Sequence, residues 1–127
     1  MHSNPLFEYA VIRIVPRVER EEFLNVGIIL FCKSLDYLGT RHTLDEKKLC
    51  IFGDDVPVEE IRANLQAFEK IARGEKDAGP IALLDTASRF RWLSATRSTI
   101  LQTSRVHPGF CDNPSEMLDR LFQQLVL

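Results

Sequence analysis

Two segments of this chain carry side chains that could bind a charged partner, and the first runs from residue 17 to residue 25. Its arginines alternate with glutamates, and an arginine presents a planar fork of N–H donors that binds carboxylate and phosphate groups. The pattern is compatible with an exposed recognition loop, whereas the ordinary occurrence of charge at protein surfaces favours a solvated connection between strands. A polar residue directly before an apolar strand, as at position 25, often hydrogen-bonds a neighbouring loop backbone. The candidate partner-binding or anion-binding residues of this segment are Arg17, Glu19, Arg20, Glu22 and Asn25.

The second segment, residues 86–111, contains four arginines and one histidine but no Asp or Glu. Phe90, Trp92 and Phe110 lie between these basic residues. Such a segment is compatible with binding phosphate, single-stranded nucleic acid or an acidic protein surface. The alternative is that Phe90 and Trp92 belong to the core and that the arginines pair with acids elsewhere in the same domain. The candidate binding residues are Arg89, Arg91, Arg97 and His107, with Arg105 added for a nucleic-acid site.

Catalytic motifs are missing from the sequence, which has no P-loop, dinucleotide-binding glycine motif, nucleophile elbow or H-E-x-x-H motif. His107 with Ser98 or Cys111 could supply the base and nucleophile of a small hydrolase, provided that they share a cleft. The three cysteines are widely spaced without a C-x-x-C pair, and the three histidines lack the spacing of metal ligands. We therefore predict no catalytic residue, no metal site and no cofactor.

The composition excludes several classes of protein. The chain has 127 residues, with 16 Lys and Arg against 18 Asp and Glu, and its net charge of −2 does not suit a generally basic nucleic-acid binder. A chain of this length buries about two-thirds of its extended surface on folding, which is enough for one core without disulfides. The first residues lack the features of a signal peptide, and no uncharged stretch approaches the ~20 residues that cross a bilayer. We expect a single cytoplasmic domain over residues 1–127 that does not bind a membrane.

The first secondary-structure elements that the sequence predicts are β-strands, which would position the candidate side chains. Residues 7–15 are rich in aromatic and β-branched types, and residues 26–32 are continuously apolar, as in a central strand covered on both faces. The charged residues between them are too many for a tight hairpin and favour a single helical turn or an ordered loop. Residues 37–44 alternate in the manner of a half-exposed strand, and residues 99–103 have strand character.

Helical periodicity appears later in the chain. Apolar residues recur every three or four positions over residues 58–73, with Asp54 or Asp55 as the expected cap and Gly74 as the expected end. Shorter helical stretches are predicted at residues 81–84 and 87–93, the latter capped by Thr86. A turn is expected at residues 108–109, and Asn113 is expected to cap a terminal helix over residues 114–127. The predicted fold class is α+β, with an antiparallel or mixed sheet of four to five strands packed against two longer helices and short helical turns.

Six blocks of sequence carry a resemblance to a known family: residues 9–13 (YAVIR), 16–27 (PRVEREEFLNVG), 89–93 (RFRWL), 97–99 (RST), 106–109 (VHPG) and 111–112 (CD). Together they span nearly the whole chain and resemble the bacterial domain-of-unknown-function 3037 family. The resemblance implies a short cytoplasmic protein without an assigned activity. It also implies, for some members, a neighbouring gene for a kinase similar to the persistence-toxin serine/threonine kinases, and hence a partner or accessory role.

The function expected from these observations is a non-catalytic protein-interaction or accessory module whose partner is the neighbouring kinase. The two charged segments would form one outward-facing patch that binds this partner. The alternative is a nucleic-acid or phosphoester-binding protein that uses the arginine-rich second segment. The sequence leaves the oligomeric state open.

Overall fold

Five antiparallel strands form the centre of the protein, in a computed structural model that describes residues 4–95 and 99–127. The strands are β1 (Leu6–Ile14), β2 (Leu24–Cys32), β3 (Tyr37–His42), β4 (Leu101–Thr103) and β5 (His107–Phe110). β1 pairs with β2 along one side, and with β4 and β5 in succession along its other side. β3 pairs with the free side of β2. The result confirms the α+β class and the expected number of strands.

β2 confirms the prediction of a strand that is covered on both faces. All residues from 26 to 32 are buried, because their side chains alternate between two apolar layers. The register with β1 shifts between Ile12 and Arg13, which pair with Gly27 and Asn25, so Val26 has no partner of its own. Such a bulge bends and twists the strand pair at this end of the sheet.

Four α-helices pack on the sheet: α1 (Glu46–Leu49), α2 (Val58–Arg73), α3 (Thr86–Leu93) and α4 (Pro114–Leu125). α2 and α3 cover one face, where Leu65 and Phe90 join a core with Ile12 and Ile29. α4 covers the other face, which we call the α4 face, and contributes Phe122 to a second core. The two longer helices predicted from periodicity are α2 and α4.

The predicted bounds of α2 are confirmed, but its predicted cap is wrong. The residue at the N-cap position is Pro57, and no side chain caps this end of the helix. Asp55 accepts a hydrogen bond from Arg17 instead. At the other end Gly74 has φ 71°, a left-handed conformation that glycine adopts without steric cost, as the sequence predicted.

Short polar side chains cap the N-terminal ends of α3 and α4. Asn113 caps α4 as predicted, since its side chain accepts from the backbone N–H groups of Ser115 and Glu116. The predicted cap of α3 is wrong, because Asp85 caps the helix by accepting from the Ser88 N–H. Thr86 is the first helical residue, and its hydroxyl donates to Asp36 at 2.6 Å.

The turn predicted at residues 108–109 is also wrong, since Pro108 and Gly109 lie inside strand β5. Pro108 is tolerated there because β5 is an edge strand, where a missing N–H leaves no internal acceptor unpaired. Gly109 faces Phe7 on β1, and a Cβ at this position would lie 2.6 Å from Phe7 Cζ. The Phe7 ring therefore leaves no room for a side chain at position 109, which explains why this residue is a glycine.

The remaining differences concern short elements. β3 ends at His42 and β4 covers only Leu101–Thr103, so both are shorter than predicted. The expected helical turn in the first charged segment is the 3₁₀ turn Val18–Arg20, and the stretch near residue 81 is the 3₁₀ turn Pro80–Leu83. Within the described ranges, no helix has both the length and the apolar character needed to cross a bilayer.

Candidate functional site

The first charged segment forms an exposed loop between β1 and β2. Arg17 Nη2 lies 3.4 Å from Asp55 Oδ2, and Arg20 Nη2 lies 2.8 Å from Glu22 Oε1. All four side chains are about half exposed or more, so each ion pair contributes only about 0–1 kcal/mol to stability. Glu19 is exposed as well. The loop keeps its charged groups at the surface, where its predicted binding role requires them.

Asn25 lies inside β2, not in front of it. Its Nδ2 donates to the backbone carbonyl of Leu125 at 3.1 Å, so it contacts the last turn of α4 where the sequence suggested a loop backbone. Its Oδ1 is buried without a hydrogen-bond partner among the described residues. Asn25 therefore joins β2 to α4 on the α4 face of the sheet.

Arg13, the strand partner of Asn25, is a polar residue of this region that sequence reasoning missed. Its guanidinium lies over the ring of Phe23, 4.0 Å from the centroid, and its Nε is buried without an acceptor in the described part of the chain. Burial lowers the pKa of Arg13, because removal from water disfavours the charged form. The signal available in the sequence was a charged residue between apolar ones near the end of a predicted strand.

The candidate residues of the second segment occupy different places. Arg89 packs against Gly74, and its Nη1 donates to the Ala82 carbonyl at 3.5 Å, near the limit of a hydrogen bond. Arg91 is exposed on α3. The His107 ring packs at a tilt of 33° against Tyr9, its partner across β1 and β5, with ring centroids 5.3 Å apart. Arg97 lies outside the described residues.

Arg17 and Arg89 are not brought together. Arg17 contacts Asp55, three residues before α2 begins, whereas Arg89 contacts Gly74, directly after α2 ends. The 16 residues of α2 separate these contacts by about 24 Å at 1.5 Å per residue. The contacts of Arg17 and Arg89 therefore lie at opposite ends of α2, and a single patch that joins the first segment to Arg91 and Arg97 stays a prediction. Asn25 and His107 do share the α4 face.

The hydrolase alternative needs His107, Ser98 and Cys111 in one cleft. Ser98 lies outside the described residues, and the His107 side chain packs against Tyr9. Cys111 is buried, and burial raises the pKa of its thiol, with smaller contributions from Cys32 and Asp112. A buried thiol that keeps its proton is a poor nucleophile. In the parts of the chain that the structure describes, no three His, Cys, Asp or Glu side chains cluster to hold a metal ion.

An exposed apolar area lies at the corner of the sheet where β1 begins and β5 ends. Leu6 and Phe110 are directly opposite each other on these strands and are 51% and 68% exposed. Beside them is a groove of about 470 Å³ lined by Leu6, Glu8, Phe31, Lys33 and Ser34. We call Leu6, Phe110 and this groove the corner surface. Side chains at positions 6 and 8 lie on the α3 side of β1, opposite to the buried Phe7.

The sequence did not indicate the corner surface. Phe110 was grouped with the aromatic residues of the arginine-rich segment, of which Phe90 is buried, in a stack with Phe31, and Trp92 is 42% exposed. Leu6 precedes the predicted strand, so its neighbours could not be inferred. Only the pairing of β1 with β5, about 100 residues later, brings the two side chains together.

Comparison with known proteins finds one family. The model of a family described as a protein of unknown function (DUF3037) matches residues 9–126 of the chain. No curated protein and no solved structure matches it.

Proposed function

The chain belongs to the DUF3037 family, and on that premise we propose that it is a protein-interaction module that binds its partner through the corner surface. The observation that supports this proposal is the exposure of Leu6 and Phe110 beside a groove. Contiguous apolar side chains at a protein surface, bordered by polar groups, are typical of sites that bind another protein.

The corner surface combines an aromatic anchor with a recess. Phe110 is exposed on an edge strand, and its strand partner Leu6 lines the groove together with the aromatic Phe31. Aromatic side chains contribute much of the binding energy at protein interfaces, and polar groups at the rim orient the partner. Glu8 and Lys33 supply one group of each charge at this groove. The ligand that fits is a protein segment with an apolar side chain for the recess and polar groups around it.

Further apolar side chains lie at the same end of the sheet. The hydrogen bond from Thr86 to Asp36 brings the start of α3 to the turn between β2 and β3. Leu35 and Leu84, which precede Asp36 and Asp85, are both exposed. These residues extend the apolar character of this end beyond the corner surface.

The partner that we propose is the neighbouring kinase implied by the family resemblance, in a bacterial cytoplasm. The first charged segment lies at the other end of β1 and is free to make separate contacts with a partner of this size. Electrostatic contacts of exposed charges act mainly on the association rate, whereas apolar anchors act mainly on the dissociation rate.

Co-elution of the two purified proteins in size-exclusion chromatography tests the proposal. We expect a complex at micromolar concentrations, and truncation of the anchor in Phe110→Ala should weaken it by about tenfold or more. Gln66→Ala is the control, because Gln66 is exposed and lies in α2, outside both the corner surface and the first charged segment. Separate elution of the unmodified proteins, or equal effects of the two variants, would contradict the proposal.

A further inference from the structure

The two edges of the sheet are built differently. β5 has four residues and contains Pro108, which has no N–H to donate to an added strand. β3, at the opposite edge, has six residues and pairs with β2 in an unbroken register, without a proline or a bulge. One edge therefore carries a feature that prevents strand addition, and the other does not.

The backbone groups at the free side of β3 can be assigned from its pairing with β2. The N–H of Thr43 donates to the Val26 carbonyl at 2.8 Å, so the backbone of Thr43 faces β2. Hydrogen-bonded pairs alternate along an antiparallel ladder. The backbone N–H and C=O groups of Arg41, Gly39 and Tyr37 therefore also point toward β2. The N–H and C=O groups of Leu38, Thr40 and His42 then point away from the sheet. None of them has a hydrogen-bond partner outside the ladder among the described residues.

Charge does not protect this edge either. Arg41 is the one Lys, Arg, Asp or Glu residue in β3. Its Nη1 donates to Asp119 Oδ1 at 2.7 Å, and its guanidinium lies 4.6 Å from the centroid of the Phe122 ring. Both contacts are with α4, so the charge is held over the α4 face and does not project across the edge.

We infer that β3 pairs with β3 of a second copy of this chain, antiparallel, about a two-fold axis at Thr40. In this register Thr40 lies opposite Thr40 of the second copy, and Leu38 lies opposite His42. All three outward-facing residues pair, which forms about six backbone hydrogen bonds. A register centred on Gly39 or on Arg41 pairs fewer outward-facing residues, and the latter also places two arginines opposite each other.

Symmetry favours a second copy over other occupants. A two-fold contact between identical edges is closed, so the dimer has one continuous sheet that ends in β4 and β5 on both sides. β4 has only three residues, and the Pro108 of each copy acts against the addition of a strand at β5. Pairing of β3 with β5 would instead be head-to-tail and would produce filaments, and Pro108 acts against it.

The mass of the full-length protein in solution tests this dimer. We expect about twice 14.6 kDa at micromolar concentrations in analytical ultracentrifugation. Thr40→Pro should give a monomer, because it removes an outward N–H and no bond within the sheet. Thr40→Val keeps the backbone donor and should remain dimeric. A monomeric unmodified protein, or a Thr40→Pro variant that stays dimeric, would overturn the inference.

A crosslink gives a second test that does not depend on how well a proline is tolerated. In a Cys50→Ser background, which removes the exposed native thiol, Thr40→Cys should form an intermolecular disulfide under a mild oxidant. Cα atoms of a bonded antiparallel pair are about 5.5 Å apart, within the range of a disulfide. Thr43→Cys is the control, since its two copies would lie about 20 Å apart along the paired strands. Equal crosslinking of the two variants would also overturn the inference.

Discussion

The side-chain amide of Asn25 donates to the carbonyl of Leu125, at 3.1 Å and across 100 residues of sequence, and so joins the start of β2 to the end of α4. We expect Asn25→Ala to lower the free energy of unfolding by about 0.5–1.5 kcal/mol, the net value of one hydrogen bond. Urea denaturation followed by circular dichroism measures the change. Gln124→Ala, on the exposed side of α4, is the control and should have little effect. An Asn25 variant as stable as this control would show that the contact does not stabilise the fold.

Gly109 and Phe7 form a close contact between β5 and β1. We expect Gly109→Ala to destabilise the protein by about 1–3 kcal/mol, because the added methyl group overlaps the buried Phe7 ring. Phe7→Leu removes part of that ring, so the double variant should lose less stability than the sum of the single ones, by about 1 kcal/mol. The free energies of unfolding of the unmodified protein, the two single variants and the double variant measure this coupling. Additive effects would mean that the glycine is needed for another reason.

Cys111 makes stability depend on pH. Burial raises the pKa of its thiol, so the unfolded chain releases this proton at a lower pH than the folded protein does. The stabilisation is complete below the ordinary thiol value of about 8.5 and is lost as pH rises toward the raised value. We expect the free energy of unfolding to fall as the pH rises above the ordinary thiol value, and to fall less in Cys111→Ala. Burial also raises the pKa of Tyr37, which acts in the same direction near pH 10 and is present in both proteins. Equal slopes for the two proteins would contradict this assignment.

Oligonucleotide binding separates the proposed function from the nucleic-acid alternative. Arg91 and Arg105 are exposed, whereas Arg89 is packed against Gly74. Two exposed arginines in the described part of this segment should give no detectable binding of a single-stranded oligonucleotide at about 50 mM salt, where phosphate contacts are strongest. Fluorescence anisotropy measures it. Binding that weakens steeply with salt and in Arg91→Ala would favour the alternative function.

The parts of the fold that the sequence predicted are those set by neighbouring residues. The apolar run of β2, the periodicity of α2 and the Asn113 cap of α4 each depend on interactions within a few positions, which a sequence displays directly. The caps of α2 and α3 were wrong because several polar residues stood close together. Packing then decided which of them reached the helix end, and in α3 this was Asp85.

Of the candidate site, the sequence determined which residue types are present and that the first charged segment is a surface loop. It could not determine that Arg17 and Arg89 lie at opposite ends of α2, or that Leu6 and Phe110 meet. Strand pairing alone decides such neighbours, because residues far apart in the chain become adjacent only when the sheet forms. The sequence also could not show that one side of β3 is unpaired or that Pro108 lies in an edge strand. Which strands lie at the edges of the sheet depends on the order of the strands, and only the tertiary structure sets that order.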